Sequence, residues 1–199
     1  MKITPVLQHI TTNGVWHTMP VWEIEDFPMP LIDINECSII GPLDQKNPEV
    51  TANFRLSLLY NFSDTMKKQW EYAVTEFMNH MKSVGYADYS INYLWFDRLY
   101  QFSVSPLTEH ITITCDKPGL NMGSHLDNRN MFGIMILNMI DNPAGTGTEF
   151  SRNYNGEVLY TSPTKKNSGV FFMNTHETWH AIKNMSTSNR YIFYIPIGI

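Results

Sequence analysis

The chain has little cysteine and no excess of positive charge, and both shortages restrict its function. Only Cys37 and Cys115 occur among 199 residues, far apart and outside any Cys-x-x-Cys pattern. We therefore expect a reduced intracellular protein, located in the cytoplasm, rather than a disulfide-linked one. The net charge of −5 offers no overall basic surface to a phosphate backbone. A nucleic-acid partner is accordingly not expected, although a local basic groove is compatible with this charge.

Long apolar segments are also missing. The first residues, Met-Lys-Ile-Thr-Pro, lack the apolar core of a signal peptide. The longest strongly apolar run, residues 131–140, is too short to cross a hydrocarbon layer of about 30 Å as a helix. No membrane association is therefore expected. A hydrophobic content of 43% with 17% charged residues is typical of an ordinary globular protein, and we expect residues 1–199 to form one domain.

The first part of this domain, residues 1–108, is predicted to support the rest with short strands and a helix. Short strands are predicted at Val15-Trp16, at Val21-Trp22 and at residues 31–34, and frequent prolines favour sheet edges there. An amphipathic helix is predicted from about Ser63 to Val84. Its predicted buried face consists of apolar residues at three- and four-residue spacing: Met66, Trp70, Ala73, Val74, Phe77, Met78, Met81 and Val84. Residues 88–105 are compatible with either a second helix or a strand.

The second part, residues 109–199, has the pattern of an antiparallel β-unit. Turn signals such as Asp-Lys-Pro-Gly at 116–119 separate short β-like runs, and no helical pattern interrupts them. Eight runs are predicted, at residues 110–115, 122–127, 131–139, 147–150, 157–161, 168–173, 178–184 and 189–197. The predicted fold class is therefore mainly β with flanking helices: a double-stranded β-helix (a cupin-like jelly roll) packed against the N-terminal amphipathic helix.

Two histidines and one carboxylate in this unit form a candidate metal site. His125 and Asp127 stand two residues apart, so on one strand their side chains would share a face, and His180 follows 53 residues later. Two histidines and a carboxylate with open coordination positions are the facial triad of non-haem Fe(II) oxygenases. Arg190 follows His180 by ten residues and offers a bidentate cation to a carboxylate. This set predicts an iron site with an organic acid bound beside it.

Some assignments around this site have competitors. His176 is an alternative to His180 as the third ligand, and the spacing to Arg190 favours His180. Asn128, Arg129 and Trp179 flank the candidate ligands and are candidate substrate contacts. For Asn128 and Arg129 a solvated loop is the simpler interpretation.

Four segments of the chain resemble the catalytic core of the 2-oxoglutarate- and Fe(II)-dependent oxygenases, nearest to members of the prolyl-hydroxylase type. Besides His-Leu-Asp at 125–127, they are Ile-Leu-Asn at 136–138, Gly-Thr-Gly-Thr-Glu-Phe at 145–150, Trp-His-Ala-Ile at 179–182 and Arg-Tyr-Ile-Phe-Tyr at 190–194. The resemblance covers roughly residues 109–197. It implies Fe(II), 2-oxoglutarate and O2 as cofactor and cosubstrates, with His125, Asp127 and His180 as iron ligands and Arg190 as partner of the distal carboxylate of 2-oxoglutarate.

One position departs from the family pattern. Ile136 stands where prolyl-hydroxylase relatives often have a tyrosine that contacts 2-oxoglutarate. Thr112 and Thr114 on the first core strand, or Tyr194 on the face of Arg190, are the candidates for this second contact. The carboxylate of Asp127 argues against the halogenating branch of the family, in which a small residue replaces it.

The resemblance implies hydroxylation of a C–H bond with release of succinate and CO2. It favours a peptidyl substrate, with proline as one candidate, while a small molecule stays open. Two alternatives remain at this level. One is a cupin-like metalloenzyme that does not use 2-oxoglutarate. The other is a non-catalytic jelly-roll module that binds a carbohydrate or a protein.

Overall fold

The computed structural model describes residues 1–6, 8–10, 16–42, 54–80, 83, 111–127, 131–174 and 176–198. These residues contain one α-helix, α1 (Asp64–His80), and a short 3-10 turn (Ile34–Glu36). Their strands are β1 (Lys2–Pro5), β2 (Gln8–Ile10), β3 (Trp16–Thr18), β4 (Val21–Glu25), β5 (Ser38–Pro42), β6 (Arg55–Leu59), β7 (Thr112–Asp116), β8 (Asn121–His125), β9 (Met131–Asn138), β10 (Glu149–Ser151), β11 (Tyr160–Thr161), β12 (Gly169–Met173), β13 (Trp179–Lys183) and β14 (Arg190–Gly198).

The strands form two main antiparallel sheets and one separate hairpin. The larger sheet has the order β1-β4-β12-β9-β14-β7-β6-β5, and the smaller sheet has the order β11-β10-β13-β8. Within the part of the chain that the structure describes, strands β2 and β3 pair only with each other. The four strands from the N-terminal part extend the larger sheet at its two edges, which agrees with the proline-rich sequence there. Two facing antiparallel sheets are the architecture of a jelly roll.

The larger sheet buries apolar side chains on both of its faces. On one face, residues such as Ile113, Cys115 and Phe193 pack with the helix residues Trp70 and Phe77. On the other face, Ile136, Ile192 and Phe172 pack with Phe150 of the smaller sheet. Because side chains alternate along a strand, positions 190, 192 and 194 of β14 point into the space between the two sheets. The sequence-predicted face of Arg190 is therefore an interior face.

The buried face of α1 consists of Trp70, Ala73, Val74 and Phe77, while Lys67, Lys68, Glu71 and Asn79 on the other side are exposed. The Ser63 side chain accepts a hydrogen bond from the Met66 amide at the start of the helix, as an N-cap does. Residues 81, 82 and 84, to which the predicted helix extended, lie outside the described residues. No helix within the described ranges is long and apolar enough to cross a membrane.

All eight predicted strands of the C-terminal part are present, with ends that coincide or are displaced by up to three residues. Two details were wrong. Asp116, predicted to open a turn, is the last residue of β7 and is fully buried. Asp127, predicted to lie on the strand of His125, follows two residues after the end of β8.

The N-terminal predictions had mixed outcomes. Strands are present at Trp16–Thr18 and Val21–Glu25, where short strands were predicted. The predicted strand at residues 31–34 was wrong: no strand is formed there, and Asp33 instead caps the short 3-10 turn by accepting a bond from the Asn35 amide. Residues 88–105, left ambiguous by the sequence, lie outside the described residues. Both cysteines are free thiols.

Candidate metal centre

Strand pairing in the smaller sheet brings the two candidate histidines together. His125 is the last residue of β8 and His180 is the second residue of β13, and the two face each other directly in the antiparallel register. Their ring centroids are 4.4 Å apart. Asp127 reaches the same place from the loop after β8. Ligand atoms of the three side chains all lie within 4.8 Å of one another, a spacing that one metal ion can bridge.

Backbone carbonyls fix the orientation of both imidazole rings. Nδ1 of His125 lies 2.8 Å from the carbonyl oxygen of Gly123, and Nδ1 of His180 lies 3.1 Å from the carbonyl oxygen of Thr178. A carbonyl can only accept, so Nδ1 carries the proton and donates in each ring. In a neutral imidazole this leaves Nε2 with a free lone pair. Metal-binding histidines are commonly held in this tautomer by such a bond.

The free nitrogen of His180 faces an oxygen of Asp127. Its Nε2 lies 3.1 Å from Oδ2 of Asp127, and within the described residues this oxygen receives no well-aligned hydrogen bond. His180 is nearly fully buried, and Asp127 is mostly so. Two lone pairs facing each other at this distance repel unless a proton or a metal cation lies between them. The residues therefore fit a divalent metal with nitrogen and oxygen ligands.

The surroundings favour the protonation states that His125 and Asp127 need as ligands. Burial lowers the pKa of His125, and the neighbouring His180 lowers it further, so this ring is neutral at neutral pH. Burial by itself would raise the pKa of Asp127, but its interaction with His180 and the positive charges nearby outweigh burial and lower it. A neutral imidazole beside an ionised carboxylate is the ligand state that a metal requires.

Arg190 lies deep between the sheets and is held by a carboxylate that sequence reasoning missed. It is 1% exposed, its Nη1 donates to Oδ2 of Asp116 at 2.7 Å, and its Nη2 donates to the hydroxyl of Thr148 at 3.3 Å. Arg55 of β6 binds the same carboxylate from the other side. Burial lowers the pKa of Arg190, while Asp116 acts in the opposite direction.

The candidates for a second cosubstrate contact line the same interior. Thr114 is fully buried, and its hydroxyl has no hydrogen-bond partner among the described residues. Thr112 pairs in register with Tyr194, and Tyr194 also lies directly across from Ile136 on β9. Burial raises the pKa of Tyr194, and the charge of Asp127 raises it further. Tyr194 therefore stands beside both Asp127, one of the three candidate ligands, and the position where the resembling family often has a tyrosine.

A cleft opens beside the three candidate ligands. Its volume is about 660 Å³, and its lining includes His125, Asp127, Asn174, Tyr154 and Trp179. The rings of Tyr154 and Trp179 meet edge to face at a centroid distance of 5.4 Å and form one wall. Of the predicted substrate contacts, Trp179 is therefore at the mouth of the site, whereas Asn128 and Arg129 lie outside the described residues.

His176, the competitor of His180, lines the cleft but does not join the cluster. Its side chain is 89% exposed, and its Nε2 lies 3.8 Å from a carboxylate oxygen of Glu177. Sequence reasoning missed three residues around the site: Arg55, Asp116 and Tyr154. Asp116 stands before Lys-Pro-Gly and Tyr154 inside Asn-Tyr-Asn-Gly. Both segments are turn signals, which predict loop residues and not residues of a site. No local signal distinguishes Arg55, because its role depends on strands far apart in sequence.

Comparisons with known proteins give a fold likeness. No protein-family model matches the sequence, and no curated protein matches it. Among solved structures, a viral collagen prolyl hydroxylase from Paramecium Bursaria Chlorella virus-1, in complex with 2-oxoglutarate, is similar with a TM-score of 0.52. The likeness covers 89% of this chain and 94% of that one, at 12% sequence identity.

A second solved structure, a prolyl-4-hydroxylase from Pseudomonas putida, is similar with a TM-score of 0.50. That likeness covers 91% of this chain and 93% of that one, at 11% identity. The chain thus has the fold of the prolyl hydroxylases, a mainly β structure of antiparallel sheets, over most of its length.

Proposed function

We propose that the protein is an Fe(II)- and 2-oxoglutarate-dependent oxygenase that hydroxylates a C–H bond. The observation that carries this proposal is the facing pair of His180 Nε2 and Asp127 Oδ2 at 3.1 Å, with His125 beside them. The jelly-roll fold shared with prolyl hydroxylases supports it. The chemistry supplied by bound Fe(II) and 2-oxoglutarate would be oxidation of the substrate by O2 with release of succinate and CO2.

The residues of the chain then have distinct tasks. His125, Asp127 and His180 would hold the metal. Arg190 would bind the distal carboxylate of 2-oxoglutarate, and Thr114 and Tyr194 are its polar neighbours on the same interior face. The buried aromatic rings of Phe150 and Phe172 contact His180 and exclude water from behind it.

Substrate enters from the cleft beside Tyr154 and Trp179. An aromatic wall next to the metal ligands suits an apolar side chain or a peptide segment, because aromatic rings bury large apolar area at little entropic cost. We infer a peptidyl substrate, with proline as one candidate residue. A cytoplasmic location stays a prediction.

Metal and cosubstrate binding test this function directly. Purified protein is loaded anaerobically with Fe(II), and 2-oxoglutarate is added. We expect a weak visible absorption band, and succinate formation once air is admitted.

In His180→Ala the band and the succinate should both be lost. His176→Ala is the matched control, because this histidine borders the same cleft outside the cluster, and it should behave as the wild type. Loss of the band in His176→Ala with retention in His180→Ala would overturn the ligand assignment.

One observation favours a second candidate function. Arg190 already has a carboxylate partner in Asp116, as expected if it serves structure and the protein is a metalloenzyme that does not use 2-oxoglutarate. This candidate would be favoured if Arg190→Lys kept metal binding and activity and if 2-oxoglutarate changed neither of them. Tighter binding of 2-oxoglutarate to metal-loaded wild type than to Arg190→Lys would favour the oxygenase.

A further inference from the structure

Three charged side chains from neighbouring strands meet between the two sheets. In the strand register, Asp116 of β7 stands directly opposite Arg55 of β6 on one side and Arg190 of β14 on the other. All three are buried, with exposures of 4% for Arg55, 0% for Asp116 and 1% for Arg190. Such a buried group is stable only when its charges and hydrogen-bonding atoms have partners.

The two arginines hold Asp116 unequally. Arg55 takes both carboxylate oxygens, with Nε donating to Oδ1 at 2.8 Å and Nη2 donating to Oδ2 at 3.4 Å. Its remaining Nη1 lies against the sulfur of Met122 at 2.9 Å. Arg190 donates to Asp116 through Nη1 alone. Arg55 thus binds both oxygens of Asp116, and Arg190 binds one of them through a single short bond of 2.7 Å.

The other edge of Arg190 lacks an anionic acceptor among the described residues. Its Nε has no hydrogen-bond partner there, and its Nη2 reaches only the neutral hydroxyl of Thr148. Nε and Nη2 form one side of the guanidinium fork, which is the side that can hold a carboxylate through two parallel bonds. Thr114 stands two residues before Asp116 on β7, on the same face, and its hydroxyl has no hydrogen-bond partner among the described residues. The interior therefore presents donors for an anion.

The charges of the three residues do not cancel. Two guanidinium groups and one carboxylate leave a net charge of one positive unit. If Arg55 were neutral, Asp116 and Arg190 would form a closed pair with no charge left over. Arg55 is thus the residue that leaves this group of three side chains with a net positive charge.

We propose that Arg55 is a positioning and specificity-determining residue for a carboxylate ligand: it balances the charge of Asp116, so that positive charge remains at the Nε and Nη2 edge of Arg190, which has no anionic acceptor among the described residues. This inference rests on the proposed function for the identity of the ligand, the distal carboxylate of 2-oxoglutarate. Arg55 itself need not touch the ligand. Its contribution is the charge that it supplies to Asp116.

Charge compensation tests this role. Calorimetry measures the binding of glutarate to the metal-free protein and of 2-oxoglutarate to the Mn(II)-loaded protein. The temperature is one at which circular dichroism shows that every variant is folded. Arg55→Gln should weaken both affinities roughly tenfold or more, because the Asp116–Arg190 pair is then neutral. Arg55→Lys keeps the charge and should stay close to the wild type. Arg55→Gln combined with Asp116→Asn restores one positive unit and should regain most of the lost affinity.

A merely structural Arg55 gives a different pattern. The double variant would then bind no better than Arg55→Gln, or Arg55→Lys would lose as much affinity as Arg55→Gln, and either result overturns the proposal. If the double variant does not fold, the comparison of Lys with Gln at position 55 decides alone. Failure of the proposed function gives a third pattern. Glutarate binding would then follow the expected order of the variants, but metal-dependent 2-oxoglutarate binding and succinate formation would be missing. That result would uphold the anion site and reject the oxygenase.

Discussion

Nε2 of His180 lies 3.1 Å from Oδ2 of Asp127 while Nδ1 of the same ring is committed to the carbonyl oxygen of Thr178. Nε2 is therefore the ring atom that faces the carboxylate. The pair needs a proton or a metal cation between these two atoms, because two facing acceptors cost free energy in a buried place. The relationship leads to a prediction with opposite signs for stability and metal affinity.

Asp127→Asn should not lower the thermal stability of the metal-free protein, because an amide can either donate to Nε2 of His180 or accept a hydrogen bond from it. In other metal sites, loss of a hydrogen-bond partner of a ligand lowers metal affinity roughly 10- to 100-fold. Loss of a ligand carboxylate should lower it by at least as much. Calorimetric titration with Mn(II) and thermal unfolding of the metal-free protein measure the two effects. A variant that is both strongly destabilised and unchanged in metal affinity would contradict this account.

The metal-free protein should lose stability in mildly acidic solution through His125. Its pKa in the folded state is lowered from the ordinary value of 6.5, mainly by burial. The unfolded chain therefore takes up the proton first. The stabilisation is fully present above about pH 6.5 and is lost as the pH falls through the lower folded pKa. Denaturant unfolding between about pH 7.5 and about pH 5 should show a shallower decline in His125→Gln than in the wild type. Equal slopes would contradict the assignment.

The aromatic wall of the cleft should affect substrate and leave the metal chemistry intact. Tyr154→Ala removes the ring that packs edge to face on Trp179, without touching the cluster of His125, Asp127 and His180. We expect a higher KM for the substrate, while succinate formation without substrate stays at the wild-type rate. Val158→Ala, at another exposed apolar position outside the cleft lining, is the control. An unchanged KM in Tyr154→Ala would exclude this wall from substrate binding.

The close contact between β12 and β9 should tolerate no side chain at Gly169. A Cβ there would lie 1.9 Å from the carbonyl oxygen of Ile136, and backbone in the middle of a sheet cannot move away without breaking the ladder. Gly169→Ala should lower the free energy of unfolding by about 3 kcal/mol or more. Gly123→Ala on β8, where a Cβ would meet no atom within 4 Å, should change it by less than about 0.5 kcal/mol. Denaturant titration compares them, and equal losses would contradict the structure.

The helix α1 should contribute through Trp70. This side chain is fully buried and meets Phe193 edge to face at 4.9 Å and Phe27 at 6.0 Å. Trp70→Ala should cost about 3–5 kcal/mol of unfolding free energy, because it leaves a cavity between helix and sheet. Tyr72→Ala, on the exposed side of the same helix, should cost less than about 1 kcal/mol. Similar losses in both variants would mean that the packing face of α1 is misassigned.

Local patterns were sufficient for the strands of the C-terminal half and for the helix, because period two and period 3.6 are properties of a few consecutive residues. They failed at residues 31–34, where one carboxylate bond to the Asn35 amide selects a 3-10 turn over a strand of similar composition. They also failed at Asp116. A turn signal and a buried strand end look alike in sequence when the partner is an arginine 61 or 74 residues away.

The candidate ligands could be read from the sequence, since two histidines, a carboxylate and an arginine stand at spacings of 2, 53 and 10 residues in a run of short strands. Which of these side chains meet depends on the fold. The register of β8 against β13 sets His180 opposite His125 and leaves His176 in the solvent. The register of β6, β7 and β14 places Asp116 between two arginines. The physical reason is that cross-strand register depends on packing between segments far apart in the chain, which no local pattern encodes.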